Sequence, residues 1–310
     1  MNIKQALEKS EIEISNNSFI NADNWLLNDN YISFEDFLIP HFIDFIERRY
    51  AIYLEVGVEL EFYVLNVSSE NLEHFLAELQ STGINCQKER GENQYEVIVP
   101  YQRISKQFLQ HISGYKAYIE SASAKYGINT IFDGMPYEND YGSATHFHVS
   151  AMCIKDNINL FSEGEIAKNK LLLNFIAGIL KNVKAATYFL IGDLEAEYKR
   201  FRSGFLAPTH IAWGGNNRTA LVRIPDSPKQ NRRFEFRLPS SSSDIYRSVL
   251  FLLVSLITGV EEGLLPIPRL YGNAYDPQYS LTPLATSVCE AKNEHNFDYI
   301  MQRAFCLTLL

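Results

Sequence analysis

The sequence predicts an α+β fold, an antiparallel or mixed sheet flanked by helices. Three observations lead there. Two-residue alternation of apolar and polar residues runs unbroken from Tyr53 to Leu65. Strand-like and helix-like stretches follow one another without a regular β-α-β alternation. No Gly-x-Gly-x-x-Gly or Gly-Lys-Ser/Thr turn is present to mark a parallel nucleotide-binding sheet.

Taken in order, residues 1–30 are polar, Asn-rich and weakly patterned, and residues 1–50 read as a helical lead-in to one large domain over 51–310. Ser33 and Asp36 resemble a capping box, and Phe42, Ile43, Phe45 and Ile46 give a helical stripe. Pro40 belongs in a first helical turn, where its missing N–H costs nothing. In the strand Tyr53–Leu65, Leu54, Val56, Val58, Leu60, Phe62 and Val64 share one face, and Glu55, Gly57, Glu59, Glu61 and Tyr63 the other. A helix through Leu72, Phe75, Leu76 and Leu79 stops at Gly83; another, from about 104 to 126, stops at Gly127. Further strands are expected at 95–99, 145–151, 211–213, 220–224 and 234–238, and further helices at 166–191, 246–262 and near Phe297.

Composition excludes several classes. The 310 residues are 46% hydrophobic, enough to bury a full core. With 28 Lys+Arg against 37 Asp+Glu the net charge is -9, which argues against a nucleic acid or an anionic membrane as partner. Cys86, Cys153, Cys289 and Cys306 form no C-x-x-C pair, so neither structural zinc nor a disulfide framework is expected. The first residues are too polar for a secretory signal, and the apolar run 249–260 is too short to span a bilayer. A soluble cytoplasmic protein is the expectation.

The chemistry sits in repeated i, i+2 pairs. Glu59 and Glu61, His146 and His148, and Glu235 and Arg237 each flank an apolar residue within a strand-like run. Such pairs leave one face of a strand roughly 6 to 7 Å apart. A lone Glu-x-Glu reads as an exposed strand face. The company changes that reading: Glu89 and Glu96 bracket a polar turn, and the carboxylates with a histidine make the donor set for two Mg²⁺ or Mn²⁺ ions. Paired metals clamp the oxygens of a transferring phosphoryl group. A basic cluster follows, with Arg200, Arg202, Arg218, Arg223, Lys229, Arg232, Arg233 and Arg237 within 38 residues of an acidic chain. A solvated basic face is one reading; arginines between apolar strand neighbours, as at Arg223 and Arg237, point instead to a bound anion.

Four segments carry a resemblance: Val-Gly-Val-Glu-Leu-Glu-Phe, Gly-Ser-Ala-Thr-His-Phe-His-Val-Ser, the stretch Ala-Pro-Thr-His-Ile-Ala-Trp-Gly-Gly-Asn-Asn-Arg with Thr-Ala-Leu-Val-Arg-Ile-Pro after it, and Arg-Arg-Phe-Glu-Phe-Arg-Leu-Pro. In this order, across roughly 55–264, the chain resembles the glutamine synthetase family. The resemblance implies a curved, mainly antiparallel sheet and an ATP-driven ligase that phosphorylates a carboxylate before an amine displaces phosphate. It implies one metal on Glu61, Glu89 and Glu96 and another on Glu59, His146 and Glu235. His148, Arg218 and Arg223 would face the phosphates; Ser150, Lys229, Arg233 and Tyr101 would lie along the nucleotide; Gly142, Arg200 and Arg237 would hold the amino-acid carboxylate.

Three departures stand out. Leu206 replaces a flap glutamate of the family, Tyr141 replaces an asparagine before Gly142, and the lead-in reads as helical where the family carries a small β-grasp sheet. A leucine can shield an acyl-phosphate but cannot accept a proton. The expectation is therefore a Mg²⁺- or Mn²⁺-dependent ligase using glutamate or a relative and an amine other than ammonia, as a homo-oligomer or paired with a full-length homologue. A non-catalytic nucleotide-binding relative is the alternative.

Overall fold

The computed structural model describes residues 19–21, 24–27, 30–65 and 67–309. It begins with three short strands, β1 (Phe19–Asn21), β2 (Asn24–Leu27) and β3 (Asn30–Ser33), forming an antiparallel sheet of their own. The helical reading of the lead-in is corrected here at residues 19–21, 24–27 and 30–33, while its first 18 residues lie outside the described ones. Ser33 then caps a π-helical turn (Phe34–Leu38), accepting from Asp36 N at 3.1 Å, and α1 (Ile39–Tyr50) follows with Pro40 in its first turn. Next come β4 (Ile52–Leu65), α2 (Ser69–Ser81), β5 (Cys86–Lys88), β6 (Gln94–Arg103), α3 (Lys106–Lys125), β7 (Asn129–Ile131) and β8 (Thr145–Cys153). The remainder is α4 (Lys170–Ile191), α5 (Glu195–Tyr198), β9 (Trp213–Gly214), β10 (Val222–Arg223), β11 (Phe234–Phe236), α6 (Ile245–Glu261), α7 (Val288–Glu294) and α8 (Phe297–Leu309).

An open eight-stranded sheet organises the molecule, in the order β5-β6-β4-β8-β11-β10-β9, with β7 pairing the end of β4 that runs beyond β8. Every pairing in it is antiparallel except β9 with β10. The expected α+β architecture, a mainly antiparallel sheet flanked by helices, is what forms. One face is greasy: Leu60, Phe62, Val97, Phe147, Val149, Phe234 and Phe236 are all buried in one continuous core. Phe236 of β11 stacks on Phe251 of α6 at 5.2 Å, and Phe161 links Phe234 to Phe175 of α4. Because successive strand residues alternate faces, Glu235 between these phenylalanines must point the other way.

Some elements differ from expectation for local reasons. The helix expected over 166–191 is split: Ile166–Lys168 forms a 3-10 turn, and Asn169 caps α4 by accepting from Leu172 N at 2.9 Å. The expected strands 211–213 and 220–224 appear as the parallel pair Trp213–Gly214 and Val222–Arg223, two residues each. Strands β5 and β7, three residues each, exist only through their pairing with β6 and β4.

Helices α4 and α6 cross at contact distance through two glycines. A Cβ on Gly178 would sit 1.9 Å from the Ser255 carbonyl oxygen, and one on Gly259 would sit 2.1 Å from that of Asn174. Backbone atoms cannot yield as a side-chain tip can. Gly178→Ala is therefore expected to lower stability by about 1–3 kcal/mol, although alanine is the better helix former by about 1 kcal/mol. The urea midpoint measures this, and an unchanged or higher midpoint contradicts the close crossing.

Candidate functional site

The polar face of the sheet is assembled by register. Glu61 of β4 lies opposite Glu96 of β6, Glu59 opposite His146 of β8, and His148 opposite Glu235 of β11, which in turn lies opposite Arg223 of β10. The Glu89–Gln94 turn adds a third acid: Glu89, Glu61 and Glu96 each offer an oxygen within 4.8 Å of the others. Glu59, His148 and Glu235 form a second such group. His146 sits between the two, its Nδ1 3.3 Å from Glu59, 3.5 Å from Glu235 and 3.9 Å from Glu61.

The two groups differ electrostatically. In the first, burial and the charges of Glu89 and Glu96 outweigh a hydrogen bond from Ala144 N (2.8 Å) and push Glu61 up to about 8. Burial and repulsion by Glu59 push Glu96 up to about 7 against a hydrogen bond from Gln87. In the second, burial opposes ionisation of Glu235, but Arg237, His146, His148 and Arg223 hold it down at about 2. Burial and Arg237 lower His146 to about 4, so it is neutral at neutral pH. Despite burial, hydrogen bonds to His146 and His148 hold Glu59 well below the usual carboxylate range.

The donor chemistry fits two hard divalent cations. Three clustered carboxylates are an oxygen-only set suited to Mg²⁺ or Mn²⁺, and two carboxylates with imidazole suit the same ions. The buried His148 Nε2 lies 3.0 Å from Glu59 Oε1, within the second group.

Arginines ring these groups. Arg223 Nη1 donates to Glu235 Oε2 at 2.7 Å, with Nε and Nη2 on Asn216 Oδ1 at 3.0 and 2.6 Å. Arg237 donates to the other oxygen of Glu235 and, at 3.0 Å, to the Leu206 carbonyl. Arg200 is buried against Gly142 and donates to the Leu238 carbonyl; a Cβ at Gly142 would meet Arg200 Cγ at 2.4 Å, which is why that position admits only glycine. Arg218 lines a cleft whose walls also include Glu61, Glu89, His146, Arg200 and Arg237. Beside His148, Arg233 Nε donates to Nδ1 at 3.2 Å and covers the Tyr101 ring, which meets His148 edge-on at 6.2 Å. Ser150 is buried two residues further along β8 and donates to the Arg232 carbonyl. Lys229 stands exposed on a 3-10 turn, and among the described residues no contact joins it to the cluster.

Sequence reading missed the supports. Gln94 Nε2 donates to the Gly142 carbonyl (3.1 Å), Ser143 Oγ (3.2 Å) and Glu61 Oε2 (3.5 Å), tying the first strand to the glycine loop. Glu197, fully buried, accepts from Gly134 N at 2.9 Å, and Asn216 orients Arg223. Their only signal was polar character near patterned segments, which does not distinguish them from loop residues.

The comparisons with known proteins agree with the geometry. Residues 68–310 match the glutamine synthetase catalytic domain, and the chain belongs to the glutamine synthetase family, whose members are ligases that form C–N bonds. It is 28% identical over 222 residues to glutamine synthetase of Pyrococcus abyssi, covering 70% of this chain and 49% of that one. Against gamma-glutamylputrescine synthetase PuuA of Escherichia coli K12 it is 24% identical over 298 residues, 84% of this chain and 62% of the relative. An apo structure of GmaS superposes with a TM-score of 0.74 at 19% identity, covering 92% of this chain and 74% of the other. The chain spans about half the length of the first relative. Among the described residues no helix is long and apolar enough to cross a membrane.

Folding raises the proton affinity of Glu61 and Glu96 from 4.5 to about 8 and 7, so the folded, metal-free protein binds more protons than the unfolded chain across that window. Its stability contribution from these groups therefore falls as pH rises from about 4.5 to 8. Melting temperatures in chelator should drop relative to those in saturating Mn²⁺ as pH rises from 6 to 8.5. A gap that stays constant or narrows contradicts the assignment. Replacing Glu235 by Ala strands Arg223 and Arg237 and is expected to cost about 3–5 kcal/mol; the denaturation midpoint reports it.

Proposed function

We propose that this chain is an ATP-dependent carboxylate–amine ligase that needs two Mg²⁺ or Mn²⁺ ions and works through an acyl-phosphate. The carboxylate is glutamate or a relative, and the amine is one other than ammonia. The observation that carries this reading is the pair of adjoining metal-competent groups, Glu61–Glu89–Glu96 and Glu59–His148–Glu235, beside a cleft lined by arginines. The relative named gamma-glutamylputrescine synthetase supports a larger amine. Residues 51–310 are proposed as the catalytic unit and 1–50 as a lead-in, working as a homo-oligomer or with a full-length homologue.

In this reading Glu61, Glu89 and Glu96 hold one cation, and Glu59, His146 and Glu235 hold the other. Bound there, the cations neutralise phosphate charge and polarise the transferring group. The chain's own residues do the rest. Arg223, pinned by Glu235 and Asn216, presents a preoriented guanidinium to the transferred phosphoryl group, with Arg218 across the cleft. His148 faces the phosphates with them, Tyr101, Arg233 and Ser150 form the nucleotide side, and Lys229 would join these only by swinging in from its exposed turn. Arg200, Arg237 and the backbone at Gly142 hold the carboxylate end of the acid.

Leu206 in the flap favours a second reading, a nucleotide-binding protein without turnover, since a leucine cannot take a proton from an incoming ammonium. Turnover separates the two. The ligase reading expects ADP release with Mg²⁺ or Mn²⁺, glutamate and a suitable amine; ATP binding without ADP across panels of acids and amines supports the second. Arg223→Ala should cut phosphoryl transfer by about 10³-fold or more with an unchanged circular dichroism spectrum, and full activity in that variant removes Arg223 from its proposed role.

A further inference from the structure

We propose that the amine admitted by this cleft is a monoamine with an apolar substituent, binding and reacting as the uncharged free base, in preference to ammonium or a polycationic amine. This rests on the ligase reading and deepens it by naming the class of nucleophile.

The first argument is charge. The carboxylates among the described residues lining the cleft are Glu61 and Glu89, and both belong to the three-carboxylate group. With a divalent cation on that group, neither is left to pair with an ammonium. The same walls carry the guanidiniums of Arg90, Arg200, Arg218 and Arg237. Once its reacting nitrogen is a free base, a monoamine carries no charge past these guanidiniums, whereas a diamine keeps a second ammonium beside them with neither Glu61 nor Glu89 to pair it.

The second argument is shape and polarity. One side of the cleft is Tyr141, Phe205 and Leu206. Tyr141 and Phe205 meet edge to face at 5.7 Å, and the Arg202 guanidinium covers Phe205 at 4.0 Å. Leu206 adopts a left-handed backbone, φ +59°, which a β-carbon disfavours, so neighbouring contacts must hold it there. Those contacts are visible: Arg237 donates to the Leu206 carbonyl at 3.0 Å, and the Tyr275 hydroxyl donates to the Ala207 carbonyl at 2.9 Å. The apolar wall is thus fixed beside Arg237 and offers contact to an alkyl or aryl group, whereas a second ammonium would be desolvated against it.

The chemistry balances without a carboxylate base. The free-base nitrogen forms the C–N bond with its lone pair, the C–O bond to phosphate breaks with its electrons going to phosphate, and the departing phosphate takes the one proton the nitrogen sheds. ATP, by the ligase reading, supplies the phosphoryl group. Every amine, ammonia included, must shed its ammonium proton to solvent before attack because Leu206 cannot take it, so the apolar wall is what separates an alkylamine from ammonia.

The test uses the purified chain with Mn²⁺, ATP and glutamate or its homologues. Amine-independent phosphoryl transfer is first measured by positional isotope exchange in ATP. Amide formation is then followed by mass spectrometry with benzylamine, butylamine, putrescine and ammonium. The expected result is exchange, with kcat/KM for benzylamine or butylamine at least about tenfold above putrescine and ammonium, each tenfold being 1.4 kcal/mol of discrimination. Leu206→Glu, which adds a carboxylate to the wall, should move that ratio toward the cations by a similar factor, and Phe205→Ala should weaken the aryl preference. Exchange with any other ranking, including no reaction of the apolar amines, overturns this inference alone. Absence of exchange with every acid overturns the ligase reading and this inference with it.

Discussion

The constraint on which the structure depends is the burial of like charges side by side. Glu61 and Glu96 face each other across β4 and β6, Glu89 closes over them, and Glu59 is one step away on the same strand face. Like charges directly opposite across a sheet are destabilising on their own. They are held because the opposite face of the same strands carries Leu60, Phe62 and Val97, whose burial fixes the register. A slip of one residue would exchange the two faces and turn the phenylalanines outward. The apolar core thus supplies the work that forces the carboxylates together, and a divalent cation is the natural release for the resulting repulsion.

The other half of the site is neutralised internally. Glu235 is fully buried and carries both Arg223 and Arg237, and Arg237 reaches on to the Leu206 carbonyl. One carboxylate therefore orients two guanidiniums and, through one of them, anchors the flap segment. The basic cluster of an otherwise acidic chain is in this way distributed by role: Arg223 and Arg237 around Glu235, Arg200 beneath Gly142, Arg233 against His148 and Tyr101, and Arg218 on the cleft wall.

Much of this was legible in the residues, and the boundary is physical. Strands β4, β8 and β11 show in the sequence because one face is apolar and the other polar, and that same alternation set Glu59, Glu61, His146, His148 and Glu235 on a common face. That both imidazoles crowd Glu59 was not legible: the register places His146 opposite Glu59 and His148 opposite Glu235, and His146 Nδ1 reaches both carboxylates. Lys229 shows the limit of proximity in sequence, lying between Arg223 and Arg233 yet exposed on its turn. Gln94 and Glu197 act through backbone groups of distant loops, which no local pattern encodes. The short strands β1, β2 and β3 pair with one another in a polar, unpatterned stretch, so periodicity carried no sign of them.

The central claim is that two cations bind where the sheet crowds its acids. Anomalous diffraction at the manganese edge, from crystals of this chain grown with Mn²⁺ and a non-hydrolysable ATP analogue, measures it directly. The account predicts two peaks, one ligated by Glu61, Glu89 and Glu96 and one by Glu59, His146 and Glu235. Manganese bound elsewhere, or no ordered ion on this face at saturating Mn²⁺, would contradict it.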